Sequence, residues 1–237
     1  GKPIGSIGDV ACWSLQGTKP VSAGEGGVLA TNNVDIFERA CIVGQVNRMM
    51  GLDLATPRYE ELQPLGTGMK FRAHPLAIAI AKVQLAKLPA LNRRRGAYVK
   101  AVEAGLSAIP GLEPIPTSPG STRGGYYGFP VRFRGEKLGG ASLEDYIAAL
   151  AQRGLEASAS GYKLLHTLPL FAKGFDLFTR GRGPLLKGWK GYKPGDFPVT
   201  EKLLKELLFL PVLSDPVPGA AQTVLKILRE TATAMAR

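Results

Sequence analysis

The chain has 237 residues, enough to bury a sizeable core as one large or two small domains. Its hydrophobic (45%) and charged (21%) fractions are those of an ordinary globular protein and exclude global disorder, and its longest apolar run, residues 207–213, is far short of the ~20 residues of a membrane-spanning helix. The 30 basic and 19 acidic residues leave a net charge of +11, a balance that favours anionic partners: phosphorylated ligands, nucleic acid or a membrane surface.

Residues 10–15 are a short apolar run around Trp13 and read as a buried strand. A polar, glycine-rich loop follows over 16–27. Residues 27–31 read as a second strand, ending at Asn32 and Asn33. Asn33 is placed to cap a helix from about residue 34 to 50, with Ile36, Ala40 and Val43 on one face. Residues 51–68 are irregular and long enough to suggest a functional or contact loop. Cys12 and Cys41 each sit in an apolar pattern, so buried reduced thiols are expected rather than a disulfide framework, in keeping with a cytoplasmic location. The start at Gly1 without Met is read as either the removal of residues or a piece of a longer protein, and no signal pattern is present.

Pro75, after His74, suits the first position of the clearest helix, with Leu76, Ile80, Val83 and Leu88 at near-helical spacing. His74 reads as a cap or surface residue. Pro89 is expected to bend or interrupt the pattern, which resumes through Leu91, Tyr98, Val102 and Leu106. Residues 107–125 are turn-rich, and 126–134 alternate as a strand. Residues 142–153 read as an amphipathic helix with Ser142 as N-cap and Gly154 as its stop. A strand is expected over 155–160, an irregular aromatic and basic segment over 161–199, and helices over 200–208 and 220–235 around a strand-like piece at 210–212. Strand–loop–strand–helix before residue 90 looks like the end of an α/β sheet domain, and a mixed α+β unit follows, so the division is expected at 1–90 and 91–237.

The chemistry concentrates in residues 9–27. An apolar strand delivers Ser14, a short polar turn presents Lys19, and Gly24-Glu25-Gly26-Gly27 leads into the next strand. Glycine there permits positive φ and close backbone approach. Schiff-base formation needs an amine held at the mouth of a sheet and partly desolvated, so that its neutral form is accessible. A hydroxyl five residues earlier can hold a phosphate while the lysine reaches an aldehyde carbon. Spacing alone does not separate this from a solvated loop lysine.

Trp13-Ser14-Leu15-Gln16-Gly17-Thr18-Lys19 and Gly24-Glu25-Gly26-Gly27 resemble the signature of the DegT/DnrJ/StrS family, pyridoxal-phosphate enzymes of aspartate-aminotransferase fold; Leu15 is the main departure. The resemblance implies an α/β fold type I large domain, of which residues 1–90 would be the C-terminal part, followed by a small α+β domain over 91–237. It implies that Lys19 carries pyridoxal 5'-phosphate as a Schiff base and serves as general base and acid, and that Ser14 binds the phosphate. Gln16, counted with the cofactor residues, resembles the branch acting on inososes and aminoshikimate-type ketones. The segment from Gly68 to Arg72 resembles the family's Gly-x-Asn-Tyr-Arg, whose Asn reaches across a homodimer to the partner's cofactor phosphate; Lys70 stands at that position and would also attract phosphate. The segment from Gly161 to His166, with Pro169 and Phe171, resembles one that lines the substrate site, which makes Tyr162 and His166 candidates there; Glu25 either contacts substrate or shapes its turn.

The function so implied is transamination of a nucleotide-linked keto sugar or an inosose, with glutamate or glutamine as amino donor, in a homodimer. The family's Asp on the pyridine nitrogen precedes the lysine strand, so the 237-residue chain is expected to be a C-terminal part that is inactive alone. A deoxysugar dehydratase on the same scaffold is the first alternative, although those enzymes put His where Lys19 stands. A non-catalytic regulatory or nucleic-acid-binding protein is the second. Segment 173–193 carries Lys173, Arg180, Arg182, Lys187, Lys190 and Lys193 against Asp176, with Phe175, Phe178, Trp189 and Tyr192 interleaved. A solvated flank of the site, or a patch for an anionic sugar nucleotide, ranks above nucleic acid because no nucleic-acid motif accompanies the charge. The scattered histidines and cysteines give no metal-ligand spacing.

Overall fold

The computed structural model describes residues 1–44, 54–64, 66–174, 178–180 and 188–236. The chain divides into two compact units: Gly1–Arg93 with Ser118–Tyr127, and Arg94–Thr117 with Gly128–Arg237.

The first unit opens on a hairpin. Strand β1 (Ala11–Ser14) pairs antiparallel with β2 (Gly27–Ala30), Ala11 opposite Ala30 and Ser14 opposite Gly27. Thr31 closes its far end, its Oγ1 donating to the Asp9 carbonyl at 2.6 Å. Helix α1 (Val34–Val43) starts at Asn33, whose Oδ1 accepts from the Ile36 amide at 3.2 Å, the cap its sequence called for. The expected continuation over 45–50 lies outside the described residues. Beyond it, the 3₁₀ turn Pro57–Leu62 is tied back to α1. The Thr56 amide and hydroxyl donate to the Glu38 carboxylate at 2.6 and 2.7 Å, which satisfies a side chain only 1% exposed. Arg58 and Tyr59 both donate to Asp35, at 2.6 and 2.7 Å.

Helix α2 (Pro75–Leu106) runs through Pro89 without the interruption that was one of the two outcomes expected there. A proline removes one i→i−4 bond, but the Ala, Leu, Lys and Arg around it are strong helix formers and carry the helix past it. Two burial expectations also fail. Strand β1, read as buried, is not: Trp13 is 49% exposed, and on its partner β2 Val28 and Leu29 are exposed as well. Cys12 is exposed and Cys41 half-buried. The cause is geometric: a sheet of two strands covers neither its outer edges nor both of its faces. Leu76, Ile80 and Val83 on the first half of α2 are exposed for the same lack of cover among the described residues.

The second unit is a four-stranded antiparallel sheet with helices. Its strands are β3 (Leu112–Pro114), β4 (Phe129–Phe133), β5 (Ser158–Ala159) and β6 (Leu207–Leu210), in the order β3-β4-β6-β5. Helices α3 (Leu143–Gln152), α4 (Pro169–Lys173), α5 (Pro198–Glu206) and α6 (Ala220–Met235) complete it. Phe129, Val131 and Phe133 point inward from alternate positions of β4 and share the core with Val102, Leu208 and Leu228. Each such side chain contributes roughly 1.5–3 kcal/mol by leaving water. Ser142 caps α3, accepting from the Asp145 amide at 3.0 Å and donating to its carboxylate at 2.7 Å.

The strand expected at 210–212 sits earlier, and the helix before it stops at Glu206. Leu207 to Leu210 pair with Arg132 to Phe129, and Pro211, which has no N–H to give a ladder, follows the strand. The strand expected over 155–160 shrinks to its two paired residues, Ser158 and Ala159. On the sheet's polar side Glu206 bridges Arg132 (2.7 Å) and Arg134 (3.3 Å), while Glu113 joins Arg134 (3.0 Å) and Lys137 (2.9 Å).

Candidate active site

At the end of β1 the chain leaves Ser14 and makes a closed loop. The Leu15 amide donates to the Gly26 carbonyl at 2.9 Å, and the Ala23 amide to the Leu15 carbonyl at 2.8 Å. Buried Leu15 and Ala23 anchor the base of this loop. Gly24 and Gly26 hold φ of +84° and +142°, which a side chain resists. The spacing of glycines in the lysine block therefore answers a backbone need, and it closes the loop on which Lys19 stands.

Gln16 is the hub of the loop. Its amide donates to Ser14 Oγ (3.2 Å), and its carbonyl accepts from the Lys19 amide (2.9 Å). Its side-chain Oε1 accepts from the Thr18 amide (2.9 Å) and the Thr18 hydroxyl (2.7 Å). Ser14, Gln16 and Lys19 are thus brought together in one hydrogen-bonded turn. The Ser14 hydroxyl proton has no acceptor among the described residues.

The Lys19 side chain lies on Tyr127: Nζ is 3.9 Å from the ring centroid. The Tyr127 hydroxyl is 3.3 Å from Thr18 Oγ1. Sequence reasoning missed this residue. It comes from the stretch 118–127, about a hundred residues away along the chain, where two adjacent tyrosines at the start of the segment read as a strand were the only signal; the strand itself begins at Phe129. The hairpin and the first part of α2 line a largely apolar, half-open pocket of about 770 Å³, with Trp13, Ser14, Val28, Ile78, Lys82 and Leu85 among its residues. That size is ordinary for a small-molecule site.

A primary amine, a hydroxyl with a proton to give and the Gln16 side chain form a donor set that fits an anionic aldehyde such as pyridoxal phosphate. Glu25 is exposed at the tip between Gly24 and Gly26 and makes no hydrogen bond among the described residues. Lys70 is exposed beside Phe71, whose amide donates to the Gly44 carbonyl at the end of α1 (2.9 Å). His74 Nδ1 accepts from the Leu76 amide at 3.2 Å, a capping role.

Tyr162 and His166 belong to the second unit and line a cavity of about 370 Å³ with Lys163, Phe171, Tyr192 and Phe197. Tyr162 is exposed, whereas His166 is 6% exposed, its Nε2 2.8 Å from Glu201 Oε1. The Gly195 amide donates to the same oxygen at 2.7 Å. That amide, with His166, holds the Glu201 carboxyl below the usual carboxylate range. The His166 ring stacks against Phe197 (4.9 Å), Phe197 meets Tyr192 (5.2 Å), and Tyr192 meets Trp189 edge-on (5.1 Å). Trp189 Nε1 donates to the Phe171 carbonyl at 3.1 Å. Trp189 and Tyr192 are therefore engaged in packing, not offered as a stacking platform; Phe178 alone of the described aromatics in 173–193 stands 96% exposed. Phe175, Asp176, Arg182 and Lys187 lie outside the described residues.

Among the described residues no helix is long and apolar enough to cross a membrane, and no group of His, Cys, Asp and Glu side chains is arranged to hold a metal.

The chain is 31% identical over 216 residues to an L-glutamine:2-deoxy-scyllo-inosose aminotransferase of Streptoalloteichus tenebrarius, covering 88% of this chain and 49% of that protein. It is 27% identical over 176 residues to a dTDP-4-dehydro-2,3,6-trideoxy-D-glucose 4-aminotransferase of Saccharopolyspora spinosa, covering 72% and 44%. It shares the fold of Spr1654 from Streptococcus pneumoniae, solved in its PLP form, with a TM-score of 0.70 at 19% identity over 99% of this chain and 54% of that one. The chain spans about half the length of the relatives it matches. The sequence profile of the DegT/DnrJ/EryC1/StrS aminotransferase family matches residues 1–229, and the chain belongs to that family.

Proposed function

We propose that Lys19 condenses with pyridoxal 5'-phosphate and that the protein transaminates an inosose or a keto sugar. The observation that carries this reading is the turn itself, where the backbone amide of Lys19 and the hydroxyl oxygen of Ser14 are held in one network through Gln16, and the Ser14 hydroxyl proton has no acceptor among the described residues. The cofactor, when bound, supplies an aldehyde and an electron-withdrawing ring. Lys19 would hold that aldehyde through its amine, the carbonyl oxygen leaving as water, and its free amine would move a proton at the substrate carbon as general base and acid. Ser14 donates its proton to the phosphate. Gln16 shapes the turn and keeps its amide hydrogens toward the bound molecule. Lys70 takes the phosphate of the partner's cofactor in a homodimer, and Glu25, Tyr162 and His166 face the substrate. Residues 1–90 act as part of the cofactor domain and 91–237 as the small domain.

Likeness to an L-glutamine-dependent inosose enzyme and to a dTDP-keto-sugar enzyme supports a polyhydroxylated six-membered ketone as substrate and glutamine or glutamate as donor. The inosose is the better supported, because the relative with that substrate is the more similar of the two and covers more of the chain. The test is covalent. Stoichiometric pyridoxal phosphate followed by borohydride reduction and peptide mapping should place the label on Lys19 and lose it in Lys19→Ala. A label spread over other lysines, unchanged by that substitution, overturns the proposal.

A further inference from the structure

The lysine's nearest aromatic neighbour stands outside the residues that carry the family resemblance. We infer that Tyr127 is a positioning residue for Lys19, its ring holding the lysine as an ammonium at the turn until the amine is called on; this rests on the reading of Lys19 as the cofactor amine. A cation 3.9 Å from a ring centroid is well inside the ~6 Å reach of a cation–π attraction, and that attraction acts on the charged form alone. Only the neutral amine is a nucleophile, so the ring withholds the amine while keeping it aimed.

The ring is itself held from two sides. Its hydroxyl meets Thr18 Oγ1, which is fixed in turn on Gln16 Oε1. Lysine, turn and ring are therefore linked by these contacts. On the backbone side, Tyr126 has φ of +47°, a conformation costing a non-glycine residue roughly 1–2 kcal/mol and kept only where the surroundings demand it. Gly125, just before it, lies near the lysine loop: a Cβ built there would stand 3.6 Å from Pro20 and 3.5 Å from Asn92 Oδ1, ordinary contact distances. The bend directly precedes Tyr127 and delivers its ring to the amine. Tyr127 is 54% exposed, so it has no core to fill that would explain the bend.

The role separates π-attraction from simple cover, and so does its test. The chain is pulse-acetylated with acetic anhydride at about pH 8, below the ordinary lysine range, and modification of each lysine is read by mass spectrometry. Lys2, Lys100 and Lys226 serve as exposed internal references. Tyr127→Phe keeps the ring and the backbone bend that delivers it but gives up the Thr18 contact, and should raise the Lys19 rate less than Tyr127→Leu does. Tyr127→Leu keeps apolar bulk without the quadrupole and should raise it about 2–5-fold relative to the references, the factor that matches an exposed cation–π contact. Equal rates in wild type and Tyr127→Leu, equal rates in the two variants, or a rise shared by every lysine would each overturn the inference. Borohydride labelling of Lys19 with pyridoxal phosphate is measured in the same samples. If the label stays on Lys19 while the acetylation pattern fails, Tyr127 has no such role and the cofactor assignment stands; a lost label with the expected acetylation pattern overturns the cofactor assignment instead.

Discussion

The Nε2 of His166 lies 2.8 Å from Oε1 of Glu201, and the same oxygen takes the Gly195 amide proton at 2.7 Å. One carboxylate oxygen thus joins the 3₁₀ turn Leu165–Thr167, the loop before α5 and α5 itself. His166→Ala and Glu201→Ala should each lower the denaturant midpoint, because each leaves the other group without its partner. The double variant should lose less than the two single losses added together. Strict additivity in the cycle would show that the pair does not hold the turn.

Acid should weaken the protein through a small set of carboxylates. The Gly195 amide and His166 hold Glu201 low, Lys137 and Arg134 hold Glu113 low, and Tyr59 and Arg58 hold Asp35 low. A carboxyl whose folded pKa is depressed contributes stability above its unfolded pKa, and that contribution disappears as pH falls through the folded value. Stability should therefore be level from neutral to about pH 5 and fall below about pH 4, the ordinary range of Asp and Glu. Glu113→Gln should show a shallower acid slope than wild type in chemical unfolding at a series of pH values. Identical slopes would remove Glu113 from the set.

Elements governed by neighbours three or four residues away were legible in the sequence. Asn33 and Ser142 cap where their side chains predict, and Pro75 opens α2, because capping and first-turn chemistry are local. The lysine turn was legible for the same reason: the backbone bonds that close it fall between Ser14 and Gly26. What depended on distant chain was not. Cys12 sits in an apolar strand, and apolar sequence records a capacity for burial that a two-stranded sheet does not fulfil. The end of α5 is decided by the pairing of Leu207 with Arg132, seventy-odd residues earlier in the chain. Tyr127 could not be placed at Lys19 by any local pattern, since it is a tertiary neighbour across about a hundred residues.

Gly26 offers a test of the turn that leaves its chemistry intact. A Cβ there would meet Leu15 at an ordinary 3.7 Å, so space is available and only the φ of +142° resists. Gly26→Ala should cost about 1–2 kcal/mol in unfolding experiments through backbone strain. It should also scatter pyridoxal-phosphate labelling away from Lys19, because the Leu15–Gly26 bond that closes the loop is the one disturbed. Unaltered selectivity for Lys19 would mean that the loop's closure is not what poses the amine.

Ser14 should matter to the phosphate and not to the aldehyde. A hydrogen bond from its hydroxyl to a charged phosphate is worth about 1.5–3 kcal/mol, so Ser14→Ala should weaken pyridoxal phosphate binding by roughly ten- to a hundredfold. The substitution also deprives the Gln16 amide of its 3.2 Å acceptor, which could disturb the turn without any phosphate being involved. Pyridoxal without its phosphate separates the two effects. If Ser14 holds phosphate, pyridoxal labels Lys19 equally in wild type and variant, and pyridoxal phosphate falls to the pyridoxal level in the variant alone. If both aldehydes lose Lys19 together, the hydroxyl is a brace for the turn, and the phosphate must be taken by other groups.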